Sequence, residues 1–206
     1  MIEVGERLVF WTAPHPSWRP NPDWPREVGC VLYRHPESVV LIDPLIRDDL
    51  DAAAWSWLDD EIARAGTPVV VLLTAPWHER SVRDVATRYG GRVWASPTAR
   101  ARLGDLPWLD EPPVGIRVLV PRGVDEGQVA FFIEPLRTLV VAELFLGTER
   151  GLEVRPSPGT TDRHQFDAFI RELEALPIER VLVGHGPPVL QGGGEAISSA
   201  LRRFGI

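Results

Sequence analysis

Nine short apolar runs punctuate the chain: "RLVFW", "GCVLYR", "SVVLIDP", "PVVVLLT", "RVWAS", "IRVLVP", "QVAFFIE", "TLVVAELF" and "RVLVGHG". Most are rich in Val, Ile, Leu or Phe and are bounded by Gly, Pro or Asp, the pattern of strands covered on at least one face. Between some of them the apolar period lengthens. In "DDLDAAAWSWLDDEIARAG", Leu50, Ala54, Trp57, Leu58, Ile62 and Ala65 fall on one helical stripe that ends at Gly66. "RSVRDVATRYGG" and "SPTARARLG" predict shorter helices, the second with Ser96 as N-cap and Pro97 in the first turn. "DRHQFDAFIRELEALP" places Phe166, Phe169, Ile170 and Leu173 on a stripe closed by Pro177, and "GEAISSALRRFGI" predicts a last helix.

The order is strands, helix–strand alternation, strands again, then helix–strand–helix. A doubly wound fold would alternate throughout, so the expected architecture is an α/β (α+β) one: a four-layer αββα sandwich of two mixed sheets. At 206 residues the chain fits one domain spanning 1–206. The Pro-rich "TAPHPSWRPNPDWPREVG" is read as an ordered loop after the first strand. Its Trp18 and Trp24 could act as lid residues, although core cover is the simpler role.

Charge narrows the partners. A net charge of −7 argues against nucleic acid and anionic membrane, leaving a small-molecule ligand or substrate, a protein, or a second copy of the chain as a homo-oligomer. Every basic residue is Arg, so Schiff-base lysine chemistry is excluded. The single cysteine, Cys30, lies in an apolar run and is read as a buried structural thiol. No apolar run reaches membrane-spanning length and no leader pattern opens the chain, which sets a cytoplasmic expectation.

Four pieces then occur in an order that resembles the metallo-β-lactamase-fold superfamily, with its glyoxalase II-like hydrolases. "GCVLYRHPESVVLIDP" is similar to its opening strand pair ending in Asp, here Asp43. "VVVLLTAPWHERSV" stands where that family has a strand followed by Thr-His-x-His-x-Asp-His. "TLVVAELFLG" resembles its Gly-Asp-x-Leu-Phe strand, and "VLVGHGPPV" its terminal Gly-His-Gly strand end. The resemblance covers roughly residues 5–192. It implies metal-assisted hydrolysis, in which His and carboxylate ligands hold one or two metal ions that acidify a bound water.

Carried over position by position, most of the ligands are missing. With Thr74 on the motif's Thr, the histidines fall on Ala75, Trp77 and Arg80, and the Asp on Glu79. The next histidine maps to Val124 in "RGVDEGQVAFF" and the bridging Asp to Glu143; only His185 survives unchanged. Ala, Trp and Val offer no lone pair, and a guanidinium cannot coordinate.

The expectation is therefore a degenerate metal site with no cofactor, in a protein that is non-catalytic or ligand-binding. Its candidate site residues are His78, Glu79, Arg80, Glu143 and His185. Arg80 is expected to fill the old metal site by pairing with Glu143 or Glu79. His78 is read either as a ligand or general base with Glu79, or as a cap or hydrogen-bonding residue at the start of the helix from Ser81. The alternative is a hydrolase of an ester, thioester or lactone. It would use one divalent metal (zinc, manganese or iron) on His78, Glu79, Glu143 and His185, or a metal-free His/Glu pair.

Other groups have quieter readings. Thr160, Thr161 or Asp162 caps a helix, with His164 beside it. His15 and His35 sit in Pro-flanked turns, Asp125 and Glu126 in a solvated turn, and "QGGGEA" in a flexible connector. Eight tryptophans, Trp18, Trp24, Trp55 and Trp108 among them, raise a third reading, an aromatic interaction surface.

Overall fold

The computed structural model describes residues 1–20, 24–47, 52–155 and 160–206. It divides into two compact units. The first takes residues 1–20 and 26–113; the second takes Trp24, Pro25 and residues 114–206.

The first unit begins with β1 (Ile2–Glu3), β2 (Leu8–Pro14), β3 (Glu27–His35) and β4 (Ser38–Ile42). It continues through α1 (Ala52–Ala65), β5 (Val69–Leu72), α2 (Val82–Tyr89), β6 (Arg92–Trp94) and α3 (Pro97–Leu103). The six strands form one sheet in sequence order, antiparallel from β1 to β4 and parallel from β4 to β6. That change of direction follows from the connections. Pro36 and Glu37 make a two-residue turn between β3 and β4. Helical crossovers, α1 and then α2, separate β4, β5 and β6. Every residue of β4 and β5 is buried, which is why their sequences read as unbroken apolar runs.

The second unit contains β7 (Ile116–Leu119), β8 (Ala130–Ile133), β9 (Thr138–Val141), β10 (Phe145–Thr148) and β11 (Gly151–Val154). They are followed by α4 (Arg163–Glu172), β12 (Arg180–Val183) and α5 (Gly193–Phe204). Its sheet has the order β12-β9-β8-β7, with β12 parallel to β9 and the others antiparallel, and β10 pairs with β11 as a separate hairpin. Phe132, Leu139, Phe145, Phe166, Phe169, Ile170 and Ile197 belong to its core cluster, so the stripe read on α4 is the face that packs inward.

The expected class, mixed α/β with two mixed sheets, is the one observed. Ser96 accepts the Ala99 N–H and Asp162 the Gln165 N–H, as N-caps should. Leu50 of the first predicted helix lies outside the described residues. Three details differ. "TLVVAELF" is not one strand: it breaks between β9 and β10, and Glu143 stands in the break. "QGGGEA" is no flexible connector, because Gly193 and Gly194 open α5 and donate to the carbonyls of Glu179 and Ile178. No tryptophan is fully exposed: Trp11 is buried and the other seven are partly covered. No helix among the described residues is long and apolar enough to cross a membrane.

Cys30 in β3 is buried, and its Sγ accepts the Leu45 N–H at 3.3 Å. Burial pushes the thiol up to about 11 against the opposing charge of Arg80. Iodoacetamide at mildly alkaline pH should leave Cys30 unmodified in the folded protein and alkylate it once urea unfolds the chain. Rapid labelling of the native state, read by mass spectrometry, would contradict this burial.

Candidate functional site

In the first unit the site begins where β4 and β5 end side by side. Asp43 directly follows β4 and Thr74 lies just past β5; both are buried. Asp43 Oδ1 accepts the Thr74 N–H at 2.9 Å, and Oδ2 accepts the Thr74 hydroxyl. His78 Nδ1 lies 2.8 Å from the same Oδ2 and 3.0 Å from Thr74 Oγ1. The single hydroxyl proton is already given to Asp43, so the proton on Nδ1 is the one that serves the carboxylate. His78 is buried, with Trp77 edge-on to its ring.

His78 is thus a hydrogen-bonding residue ahead of α2. Its partner is Asp43, not Glu79; the Glu79 carboxylate is half-exposed and pairs with Arg83 Nε at 2.7 Å. Nor does His78 cap the following helix. Ser81 holds the N-cap position of α2, and its hydroxyl binds the backbone of Ile46 instead, donating to the carbonyl and accepting the N–H.

Arg80 also departs from expectation. Its Nη1 donates to the carbonyls of Gly29 and Asp43, each at 2.8 Å, and lies 3.7 Å from Cys30 Sγ, so the guanidinium is spent on backbone rather than on a carboxylate. Its Nε is buried without a hydrogen-bond partner among the described residues. Arg80 and Asp43 both have positive φ, 42° and 48°. Such backbone costs a non-glycine residue about 1–3 kcal/mol and persists where surrounding bonds over-determine it, as the two carbonyls do for Arg80. Ala75 is fully buried.

The second unit carries the other expected residues. Glu143 and His185 meet: His185 Nε2 is 3.0 Å from Glu143 Oε1. Arg155, which follows β11, sets Nη1 3.4 Å from Glu143 Oε2, and its backbone N–H donates to the Leu144 carbonyl. All three side chains are largely buried. The ring centroids of Trp24 and His185 lie 5.1 Å apart, with the planes tilted at 56°.

The backbone around His185 has a steric logic of its own. Gly186 has φ +82°, and a Cβ there would fall 1.9 Å from the Gly147 carbonyl oxygen. A Cβ on Gly147 would fall 2.0 Å from the Pro187 oxygen. Gly147 N–H donates to the His185 carbonyl and Gly184 N–H to that of Val141. The "GHG" pattern is therefore required by the close passage of two backbones, whatever the histidine does.

The residues present do not fit the metal centre that the sequence resemblance implies. His78 Nδ1 is committed to Asp43, Glu79 to Arg83, and Glu143 and His185 to each other with a guanidinium alongside. Among the described residues no three His, Cys, Asp or Glu side chains gather as a metal would need. Sequence reasoning missed Arg155, which no motif marks, and the roles of Asp43 and Thr74. An acid closing a wholly apolar strand was the available signal for Asp43.

No protein-family model matches the chain, and no curated protein matches it. Solved structures do. A metallo-β-lactamase from Erythrobacter litoralis, with β-mercaptoethanol in its active site, is 15% identical with a TM-score of 0.70, over 98% of this chain and 93% of that one. A metallo-β-lactamase from Pontibacter korlensis is 16% identical, also at 0.70, over 98% and 97%. TTHA1623, solved in a di-iron-bound form, is 24% identical at 0.59, over 90% and 96%. The chain has the metallo-β-lactamase fold.

Two consequences can be measured. Burial works to raise the Asp43 carboxyl, but attraction to His78, its hydrogen bond, Arg80 and Thr74 outweigh burial and hold it below its ordinary 3.8. A depressed native value means a stabilisation that is whole above 3.8 and lost as pH falls through the lower native value. Urea unfolding should therefore show wild-type stability falling more steeply below that pH than Asp43→Asn, whereas parallel profiles would contradict the assignment. Gly186→Ala should lose roughly 1–3 kcal/mol from backbone strain alone, with the clash adding to it; an unchanged unfolding midpoint would exclude the close passage.

Proposed function

From the metallo-β-lactamase fold as premise, we propose that this protein carries a degenerate metal site and acts without catalysis, holding a small molecule at the remnant of that site. The observation that carries the reading is the group Glu143, His185 and Arg155. The two family ligand positions that keep a ligating side chain in the second unit bind one another, and a permanent cation stands 3.4 Å from the carboxylate. A divalent ion would have to displace the imidazole and sit against that guanidinium, at a Coulomb cost magnified by burial. In the first unit Ala75, Trp77 and Arg80 supply no ligand, and Arg80 adds a second fixed positive charge.

A second reading rests on a separate observation, two imidazole–carboxylate pairs: His78 with Asp43 and His185 with Glu143. Either pair resembles a general base held by a carboxylate, as metal-free hydrolysis of an ester, thioester or lactone would need. Both histidines are buried, at 4% and 6% exposure, which leaves little surface for a reacting carbonyl. The non-catalytic reading accounts for that burial directly.

Elemental analysis of protein purified without tag or chelator, together with Glu143→Ala and His185→Ala, tests the proposal. The expected result is zinc, iron and manganese far below one per chain in all three proteins, and no turnover of activated esters or lactones above the buffer rate. One metal per wild-type chain, lost in both variants, would overturn the reading in favour of a rebuilt metallohydrolase.

A further inference from the structure

The second unit also has an open groove, built of residues that the paired groups do not use. The β10–β11 hairpin and α5 lie against each other, joined by a bond from Arg203 to the Leu152 carbonyl. Beside that bond opens a hollow of about 280 Å³ lined by Arg150, Glu153, Val154, Ala200, Arg203 and Phe204. A second hollow of about 300 Å³ shares Arg150 and Arg203 with it and is bordered by Gln191, Glu195 and Ser199. Val154 and Ala200 are buried, so the first hollow has an apolar floor under a charged rim. Its size lies at the small end of ligand sites and suits a body of about one ring.

The two shared arginines are held differently. Arg203 donates from Nη1 to Ser199 Oγ at 2.7 Å and from Nη2 to the Leu152 carbonyl. Both acceptors are neutral, so they fix the guanidinium in place without cancelling its charge. The hairpin turn passes directly beside it: a Cβ on Gly151, where φ is +98°, would lie 4.0 Å from Arg203 Nη2. Arg150, the residue before, has its backbone N–H on Thr148 Oγ1 at 3.2 Å. Its side chain is 85% exposed and reaches Glu153 Oε1 at 3.6 Å. So exposed an ion pair contributes little and exchanges its partner readily. One cation is preset and the other can close over a guest.

The acids of the rim limit what the guest can be. Glu153 borders one hollow and Glu195 the other, whereas Arg150 and Arg203 border both. A singly charged anion gains from the two guanidiniums, while a polyanion also meets the two carboxylates.

We propose that this groove binds a small monocarboxylate with an apolar body. The carboxylate lies between Arg150 and Arg203, whose forks match its geometry, and the body rests on Val154, Ala200 and Phe204. The inference goes beyond the reading above and is independent of it, because none of these residues belongs to the group Glu143, His185 and Arg155.

The Arg203 Nε–H signal of the full chain, followed by 15N NMR and assigned by its absence in Arg203→Gln, tests it. Benzoate is the probe; benzamide, its neutral counterpart, and chloride at equal ionic strength are the controls. The expected result is a saturable shift with benzoate and none with either control, with the Gly151 backbone N–H moving at the same midpoint. Arg150→Gln should weaken the apparent affinity about 2–5-fold, as the loss of one exposed charge pair does. Inorganic phosphate should saturate only at higher concentration than benzoate. No saturable shift in the wild-type chain, which needs no variant to fold, would overturn the proposal. So would an equal response to benzamide or chloride, an unchanged affinity in Arg150→Gln, or saturation by phosphate at lower concentration than benzoate.

Discussion

The buried carboxylate of Asp43 is the interaction on which the rest of the first unit's site depends. It ends β4 in a left-handed turn and gathers the Thr74 N–H, the Thr74 hydroxyl and the His78 ring onto two oxygens. An ionised acid so deep in a fold survives only if its lone pairs are taken, and three charge-assisted bonds take them. The same bonds tie the loop after β5 to the end of β4. The Asp43 carbonyl then receives Arg80, so one residue organises the loop through its side chain and its backbone together.

The second unit solves a related problem by different means. Glu143 is fixed by an imidazole and a guanidinium, His185 by backbone packing that only glycine allows at 147 and 186. In each unit the carboxylates near the resembled motifs take hydrogen bonds or opposing charge from the chain itself. In the proposed reading, internal cations and imidazoles do for these carboxylates what a metal ion would do in a dinuclear hydrolase.

Much of this was legible along the chain, for identifiable reasons. β4 and β5 read as strands because burial on both faces leaves Ser38 as their one polar position, and α4 because one stripe alone packs inward. That Ala75, Trp77, Arg80 and Val124, none able to coordinate, stand at the resembled ligand positions is read from the sequence alone. The partners were not visible. His78 meets Asp43 across 35 positions, and Arg155 reaches Glu143 only because the β10–β11 hairpin folds back. The surviving "GHG" pattern pointed to chemistry, whereas its glycines answer to packing.

Whether internal charge has replaced the metal is measured most directly by the unfolding midpoint in urea with and without added zinc, before and after exhaustive chelation. A ligand that binds the native state raises stability by mass action, so one midpoint is expected under all of these conditions. A midpoint that falls on chelation and is restored by zinc would contradict it.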